Sequence, residues 1–288
     1  MKTPPTIMVK GSTLSQTWAI LVYATYKYGM TIQASPNYTN NPNLKIPFTK
    51  DVAAVIEYKE DAINEIFNRI IHPMYGQHNG YKDYEMQFIP GTKQFKHAID
   101  INTGFHYTYV GRLRRKSICK MEDDYRKCSG YYDWHKCDCY NDGEYMDWCC
   151  YVDQLKFIAE HLDPFNRRLQ AITWDIEEDL PATIMDEDKK SVPCLQRVKV
   201  RNLGNGFYEI VLNWRSRDAS KAYLFNILGL VNSIDQLIQE SREKLGQSKI
   251  KLAKITEFID SLQIYETEWD VASKVPIDCK TIENCLFI

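Results

Sequence analysis

Long apolar runs and a strong net charge are both missing from this sequence of 288 residues. No stretch reaches the roughly 18 consecutive apolar residues that a membrane-spanning helix needs, and the amino terminus lacks the pattern of a secretory signal. The net charge of −2 argues against a broad surface for nucleic acid polymers. With 44% apolar residues, the sequence predicts a globular cytoplasmic chain that binds neither membranes nor nucleic acid polymers.

Cysteine pairs with metal-ligand spacing are missing as well. The nine cysteines are an odd number at irregular spacing, which does not suit a secreted disulfide framework, so we expect cytosolic thiols. Six of them fall between Cys119 and Cys150, beside His135 but without a C-x-x-C pair. Zinc is the alternative there, and we favour no metal. We interpret residues from about 115 to 150 as a cysteine- and tyrosine-rich insertion.

The most informative feature that is present is Cys194 with the β-rich sequence after it. Runs at 195–201 and 207–214 are joined through Asn205-Gly206, which is a strong hairpin signal. A hairpin of this length returns the chain and brings Arg215 close to Cys194. A guanidinium beside a cysteine favours the thiolate, the nucleophilic form. The alternative is a buried, inert cysteine.

Residues 192–226 resemble the core of the thymidylate synthase family, which includes pyrimidine nucleotide hydroxymethylases. The shared pattern is P-C, a hairpin, then R-S-x-D and F-N, and the P-C-L-Q run is most similar to the archaeal-type branch. The resemblance implies that Cys194 adds to carbon 6 of dUMP, while Arg215 contacts the thiolate and holds the phosphate together with Ser216. It also implies that Asp218 lies near the folate and that Asn226 reads the edge of uracil.

Further matches extend the resemblance from about residue 81 to 270, with looser similarity at both ends of the chain. Asn166-Arg167-Arg168 resembles the family's S-R-R, whose arginines reach the phosphate bound to the other subunit. Residues 104–113 resemble the aromatic stretch beside the folate, which implies that Tyr107 and Tyr109 contact this co-substrate. The alternative for the two arginines is an ordinary solvated pair.

Three further positions are implied by the resemblance. Gln263 and Tyr265 lie where the family has H-I-Y, whose histidine and tyrosine bind the deoxyribose hydroxyl; glutamine here replaces the histidine. Glu85 is the candidate for positioning water, together with Tyr109, during loss of the carbon 5 proton. Strand packing is the alternative for Tyr265, and a surface carboxylate for Glu85. No counterpart of the family's amino-terminal phosphate-binding arginine is found in the predicted loop at 29–34.

The fold and reaction follow from the same resemblance. It implies one domain over residues 1–288 with an α/β (α+β) fold, a mixed β-sheet with packed helices, and a homodimer formed through the sheet. The expected reaction transfers one carbon from 5,10-methylenetetrahydrofolate to carbon 5 of dUMP and gives dTMP. Asn226 favours uracil over cytosine, because an amide can both donate and accept. Hydroxymethylation by water and a non-catalytic nucleotide-binding role are the alternatives.

Periodicity and capping residues predict the elements along the chain. A first helix begins after Thr13 and ends at Gly29, followed by a loop at 36–47, a second helix from Asp51 to about 70, and strand-like material up to Arg114. Beyond the insertion we expect a helix at 152–162, a strand at 169–174, an exposed acidic loop at 175–190, a helix at 220–245 and a strand at 251–265.

Overall fold

The computed structural model describes residues 4–11, 13–33, 48–58, 86–89, 92–99, 108–114, 116–117, 151–176, 179–180, 192–220, 222–275, 277, 282 and 284–287. The strands are β1 (Thr6–Gly11), β2 (Met30–Gln33), β3 (Phe48–Tyr58), β4 (Lys116–Ser117), β5 (Tyr151–Val152), β6 (Gln170–Ile172), β7 (Leu195–Gly204), β8 (Phe207–Trp214), β9 (Arg217–Asp218), β10 (Lys251–Tyr265) and β11 (Leu286–Phe287). The α-helices are α1 (Leu14–Tyr28), α2 (Lys93–Ile99), α3 (Tyr109–Arg114), α4 (Gln154–Glu160), α5 (Ala222–Lys244) and α6 (Trp269–Ala272).

Nine of these strands form one sheet with the order β11-β1-β3-β10-β8-β7-β6. Strand β2 pairs with β3, and the short strand β9 pairs with β10. The pairs β1–β3, β8–β10 and β9–β10 are parallel, and the others are antiparallel. The predicted mixed sheet with packed helices is therefore confirmed for the described part of the chain.

The predicted hairpin is confirmed as β7 and β8. Its turn residues Asn205 and Gly206 have φ angles of 51° and 81°, the left-handed values that the tight turn of a two-residue hairpin requires. Val198 faces Leu212 and Val200 faces Ile210 across the ladder, and these side chains are buried. The hairpin therefore contributes to the core as well as returning the chain to Cys194.

Helices cover one face of the sheet. Helix α1 contacts β1, β3 and β10, and it is capped by Thr13, whose hydroxyl accepts a hydrogen bond from the Gln16 amide at 3.1 Å. It ends at Tyr28, as predicted from Gly29. Helix α5 packs against α4, and its buried side chains lie mainly in its amino-terminal two thirds.

The other face of the sheet, which we call the open face, carries exposed apolar side chains. Strand register places one residue from each of seven strands in a single row across it: Phe287, Met8, Val55, Phe258, Asn213, Arg197 and Ile172. Four members are large exposed hydrophobic residues, with Phe258 at 42% exposure. Many of their neighbours along the strands are buried on the opposite face, among them Ile7, Val9, Ala54, Ile259, Leu212 and Ala171, so the two faces are unequal.

Four predictions of local structure are wrong. Residues 48–58 form the central strand β3 rather than the start of a helix, because β1 and β10 pair with it on its two edges. The predicted loop at 29–34 includes strand β2, and the strand-like material before Arg114 contains helices α2 and α3. In the predicted exposed acidic loop, Asp179 is fully buried because it pairs with Arg112.

Several predictions fall outside the described residues, among them the loop at 36–47 and the body of the cysteine-rich insertion. The two ends of that insertion lie together, because Lys116 pairs with Val152 and Ser117 with Tyr151. Within the described ranges, no helix is both long and apolar enough to cross a membrane. The same ranges contain no group of three or more metal-binding side chains.

Candidate active site

Cys194 and Arg215 come together at the start of β7 and the end of β8. The Arg215 guanidinium donates to the Cys194 sulfur at 3.7 Å. The same side chain donates to the Val192 carbonyl at 2.8 Å and to the Pro193 carbonyl at 3.0 Å. Cys194 is a free, half-buried thiol. The proximity predicted from the hairpin is confirmed, with a cation held against an accessible sulfur atom.

The backbone explains why this pair forms. The Arg215 amide donates to the Cys194 carbonyl at 2.9 Å, closing the ladder beyond the pair Leu195–Trp214. The register between β7 and β8 shifts between Leu195 and Arg197, a bulge that bends the strand and redirects its end. Cys194 therefore stands just outside the regular ladder, half-buried next to the fully buried Leu195.

A tight turn after Arg215 holds Asp218. The Asp218 carboxylate accepts hydrogen bonds from the Ser220 amide at 2.8 Å and the Ser220 hydroxyl at 3.0 Å. The Ala219 amide donates to the Gln263 carbonyl at 2.8 Å, and the Ala219 carbonyl accepts from the Trp18 indole at 2.9 Å. Register pairs Asp218 with Gln263 on the adjacent strand. Asp218, which was predicted to lie near the folate, and Gln263, which was predicted to bind the sugar, thus lie side by side.

Between Ser216 and Asp218, the chain carries a fully buried charge. The Arg217 guanidinium forms an ion pair with Glu257, and the two side chains are 1% and 0% exposed. Glu257 also accepts hydrogen bonds from the Trp214 indole at 3.0 Å and from the Tyr223 hydroxyl. Arg217 lies between the Trp214 and Tyr223 rings, 4.0 and 3.9 Å from their centroids, and donates to the Tyr223 carbonyl at 2.9 Å.

The sequence analysis missed this buried cluster of Trp214, Arg217, Tyr223 and Glu257. One signal was available: Glu257 lies between Ile255 and Ile259 in a strand, so alternation puts a carboxylate on the face that those apolar residues bury. A charge in such a position needs a partner. The sequence did not identify that partner, because Arg217 is 40 residues away.

Tyr109 reaches this region from α3. Its ring meets the Trp214 ring edge to face, with centroids 5.9 Å apart. Helix α3 is fixed by two buried ion pairs: Arg112 with Asp179 at 3.0 Å, and Arg114 with Asp153 at 2.8 Å. Burial raises the pKa of Asp153, and the Arg114 charge offsets only part of that rise.

Asn226 and Tyr265 lie on the elements that flank the turn. Asn226 is half-buried in the first turns of α5, and Tyr265 is the half-buried last residue of β10. Gln263 shares one face of β10 with Tyr265, two residues away, and donates to the Ser261 hydroxyl at 2.6 Å. Their placement at one end of the sheet is compatible with a shared ligand.

Arg167 and Arg168 occupy a separate, exposed loop. Its backbone is ordered by side chains: Asp163 accepts from the Phe165 amide at 2.8 Å, and Asn166 accepts from the Arg168 amide at 3.1 Å. The loop precedes edge strand β6, on the far side of β7 from β8. The structure does not bring these arginines to Cys194 within one subunit. Two other predicted site residues, Glu85 and Tyr107, fall outside the described ranges.

The fold and the site together define a mixed α/β protein with an accessible thiol, a guanidinium held against it, and neighbouring hydroxyl, carboxylate and amide groups. No protein-family model matches the chain. Over 264 residues it is 24% identical to a protein of Methanopyrus kandleri named "Putative thymidylate synthase", covering 91% of this chain and 94% of that protein.

A second similarity is shorter and higher in identity. The chain is 34% identical over 131 residues to a protein of Methanocaldococcus jannaschii with the same name, covering 44% of this chain and 54% of that protein. Both relatives are archaeal, which is consistent with the archaeal-type resemblance of the P-C-L-Q run. The two similarities support a thymidylate synthase-like family, and with it a transferase, for this chain.

Proposed function

We propose that this chain transfers a one-carbon unit from 5,10-methylenetetrahydrofolate to carbon 5 of dUMP and forms dTMP. The observation that carries the proposal is the Cys194 sulfur, half-buried and 3.7 Å from the Arg215 guanidinium. The thiolate is the attacking form of a cysteine, and the Arg215 guanidinium lies where it can compensate the charge on this sulfur. The thymidylate synthase name of the two archaeal relatives supports the choice of reaction.

In the proposed reaction, the Cys194 thiolate adds to carbon 6 of the pyrimidine. The new carbon–sulfur bond moves an electron pair towards carbon 5, which becomes the nucleophile for the one-carbon unit. Carbon 5 would then lose its proton as the bond between the transferred carbon and the folate nitrogen breaks, which leaves an exocyclic methylene on the pyrimidine. Hydride from the folate would convert this methylene to the methyl group, and Cys194 would leave as a thiolate as the ring double bond re-forms. Arg215 has two roles in this scheme: it compensates the charge on sulfur and, with Ser216, binds the phosphate.

The remaining residues are proposed to orient the nucleotide. Asn226 can donate to one uracil group and accept from another, a pattern that the cytosine edge does not match. Gln263 and Tyr265 would bind the sugar hydroxyl from β10. Glu85 and Tyr109 would position the water that takes the carbon 5 proton. Each group is assigned by resemblance, and the placement of Gln263 beside Asp218 supports a common site.

Two described residues fit the folate co-substrate. Tyr109 offers an aromatic ring beside Trp214, and the half-buried carboxylate of Asp218 can accept from ring N–H groups. Trp214, which contacts the Tyr109 ring, also stacks on Arg217, the residue before Asp218. The Tyr109 ring and the Asp218 carboxylate therefore belong to one region. When bound, the folate supplies the one-carbon unit and, in methylation, the hydride. Tyr107 is the third proposed contact.

We further propose a homodimer in which Arg167 and Arg168 serve the partner's site. Gln170 pairs with Lys199 and Ile172 with Arg197, and continuing this antiparallel register places Arg168 level with Arg201. Arg201 is seven residues from Cys194 along β7, which corresponds to about 20 Å at ~3.3 Å per residue. An arginine so far along the strand is poorly placed to bind a phosphate at its own Cys194.

The open face supports the same dimer. On one side of the sheet, apolar side chains adjoin across four neighbouring strands: Phe287, Met8 and Phe258 are exposed, and Val55 lies between Met8 and Phe258. Contiguous exposed apolar surface is typical of interaction sites. A two-fold axis would pair this face with itself, so one patch supplies both halves of the interface. Apolar burial would then drive association and bring the arginine loop of each subunit towards the other.

The experiment that tests the proposal is capture of 5-fluoro-dUMP in the presence of methylenetetrahydrofolate. Fluorine occupies the position of the proton that carbon 5 must lose, so the covalent complex accumulates and intact mass spectrometry detects it. We expect an adduct with the wild type and none with Cys194→Ala. Cys285→Ala is the matched control, because Cys285 is the second half-buried free thiol in the described ranges, and this variant should form the adduct.

The same samples, given dUMP, separate the alternatives by product mass. Formation of dTMP with dihydrofolate supports the proposal, whereas 5-hydroxymethyl-dUMP with tetrahydrofolate would replace it with the hydroxymethylase. Absence of both adduct and product, with nucleotide still bound, would establish the non-catalytic alternative.

A further inference from the structure

The turn that carries Ser216 and Asp218 is attached to the rest of the subunit through the backbone of Ala219 and through the side chain of Arg217. Arg217 points into the core, where its guanidinium meets Glu257 on β10 and the Tyr223 carbonyl at the start of α5. Because side chains alternate along an extended chain, an inward Arg217 directs Ser216 and Asp218 to the opposite side. Both flanking residues are half-buried.

The geometry around Arg217 is restrictive in every direction. The Trp214 and Tyr223 rings lie on its two sides at 4.0 and 3.9 Å. Glu257 is held in turn by the Trp214 indole and the Tyr223 hydroxyl. A planar guanidinium that forms an ion pair, donates to a carbonyl and stacks on two rings cannot be replaced isosterically by lysine. The four side chains therefore fix one conformation of the turn.

We infer that Arg217 is a positioning residue, which acts through Ser216 and Asp218 to fix the nucleotide and folate contacts relative to Cys194. The inference rests on the proposed function, because the roles of Ser216 and Asp218 come from it. Arg217 itself is only 2% exposed, so its effect on a ligand is exerted through its neighbours. The cluster connects β8, β9, β10 and α5, so it links the elements that carry the candidate residues.

A substitution that only weakens the fold lowers the amount of active protein, whereas loss of positioning weakens ligand binding at each remaining site. The test therefore compares Arg217→Met and Arg217→Lys with Arg114→Met. Arg114 is the matched control because it is also a buried arginine, with 4% side-chain exposure, paired with a carboxylate at 2.8 Å. Its partner Asp153 lies outside the turn and outside the cluster.

Kinetics are normalised to active sites titrated with 5-fluoro-dUMP. We expect Arg217→Met to lower kcat/KM by on the order of a hundredfold, mainly through higher KM values for both dUMP and folate, because misplacement of about 1 Å can have this effect. Arg217→Lys should be intermediate, since it keeps the charge for Glu257 but loses the planar contacts. Arg114→Met should lower stability and leave the KM for dUMP per active site unchanged. Its KM for folate is not used as a control, because Arg114 and Tyr109 belong to the same helix α3.

Hydrogen–deuterium exchange supplies a readout that does not depend on activity. The Ala219 and Ser220 amides are bonded to Gln263 and Asp218, so Arg217→Met should accelerate exchange in this turn more than in α1. Arg114→Met should leave the turn protected. Unchanged KM values in Arg217→Met, or unchanged exchange in its turn, would overturn the inference. If the wild type forms no adduct, the proposed function fails, and the exchange comparison alone decides whether Arg217 fixes the turn.

Discussion

Two segments of this chain carry arginines that belong to the proposed nucleotide site or support it, and the two segments hold their arginine side chains in opposite ways. In residues 215–218, both arginine side chains are engaged within the subunit: Arg215 by Val192, Pro193 and Cys194, and Arg217 by Glu257 and Tyr223. In residues 163–168, the backbone is held by Asp163 and Asn166, while both arginine side chains are exposed. The first segment is complete within one subunit, whereas the second presents its charges outward.

This difference supports the proposed contribution of Arg167 and Arg168 to the site of a second subunit. A buried guanidinium needs its partners within the fold, because an unpaired buried charge is strongly unfavourable. An exposed arginine on an ordered loop has no such requirement and can bind an external anion without rearrangement of its backbone. Phe165 in the same loop is 90% exposed, which adds an apolar group to the surface that a partner would meet.

The largest effect should appear in a subunit-mixing experiment, which tests whether the two segments serve sites in different subunits. We expect Arg168→Ala to lower kcat/KM about ten- to hundredfold, because a hydrogen bond to a charged group contributes about 1.5–3 kcal/mol. If Arg168 serves the partner's site, co-refolding equal amounts of Arg168→Ala and Cys194→Ala subunits should recover about a quarter of wild-type activity. In a random two-fold assembly, half of the dimers are mixed and each has one intact site.

In the control mixture, Cys194→Ala subunits are combined with subunits of the double variant that lacks both Cys194 and Arg168. No site in that mixture contains the nucleophile, so its activity should stay at the background level. If the first mixture shows only the average of its two parents, each arginine acts within its own subunit, and the two segments serve the same site.

A smaller effect should follow from changing the open face. Phe258→Asp should raise the dimer Kd by at least about tenfold, because burial of a phenylalanine contributes about 1.5–3 kcal/mol and a buried carboxylate without a partner is unfavourable. Phe157→Asp on α4 is the matched control, since Phe157 is 40% exposed and Phe258 is 42% exposed. Sedimentation equilibrium measures both. Equal dissociation constants for the two variants would exclude the open face as the interface.

Local sequence signals predicted the elements on which the candidate site depends. Asn205-Gly206 defined the hairpin, and the hairpin alone was enough to bring Arg215 to Cys194. Thr13 and Gly29 gave the limits of α1. These features are encoded within a few residues, where capping and turn chemistry determine the conformation.

Features that depend on contacts between distant parts of the sequence could not be predicted from such local signals. The apolar spacing of Val52, Val55 and Ile56 suits a helix, but β3 is a central strand because β1 and β10 pair on its two sides. The ion pair of Arg217 with Glu257 depends on the parallel pairing of β9 and β10, which no local pattern specifies. The fold class was therefore predictable, whereas the strand order and the buried cluster were not.

The smallest predicted effect concerns how a second buried arginine pair responds to pH. Burial raises the pKa of Asp153 above its usual value of 3.8, and Arg114 offsets only part of the rise. The folded chain therefore binds this proton more tightly than the unfolded chain, so stability falls as pH rises through the interval between the two pKa values. Asp153→Asn can still cap α4 but has no proton to bind.

Urea unfolding of the wild type and of Asp153→Asn at a series of pH values from about 3 to 6 isolates this contribution. The stability of the wild type relative to Asp153→Asn should decrease as pH rises through that interval. Asp163→Asn, in the exposed arginine loop, is the control. It measures how much the pH dependence of stability changes when an aspartate without a buried partner is replaced. A relative stability that increases with pH would mean that the Arg114 charge outweighs burial. Buried arginine pairs in this fold would then be stabilised mainly by charge. The buried arginines and the arginines of the exposed loop would then differ in electrostatics rather than in packing.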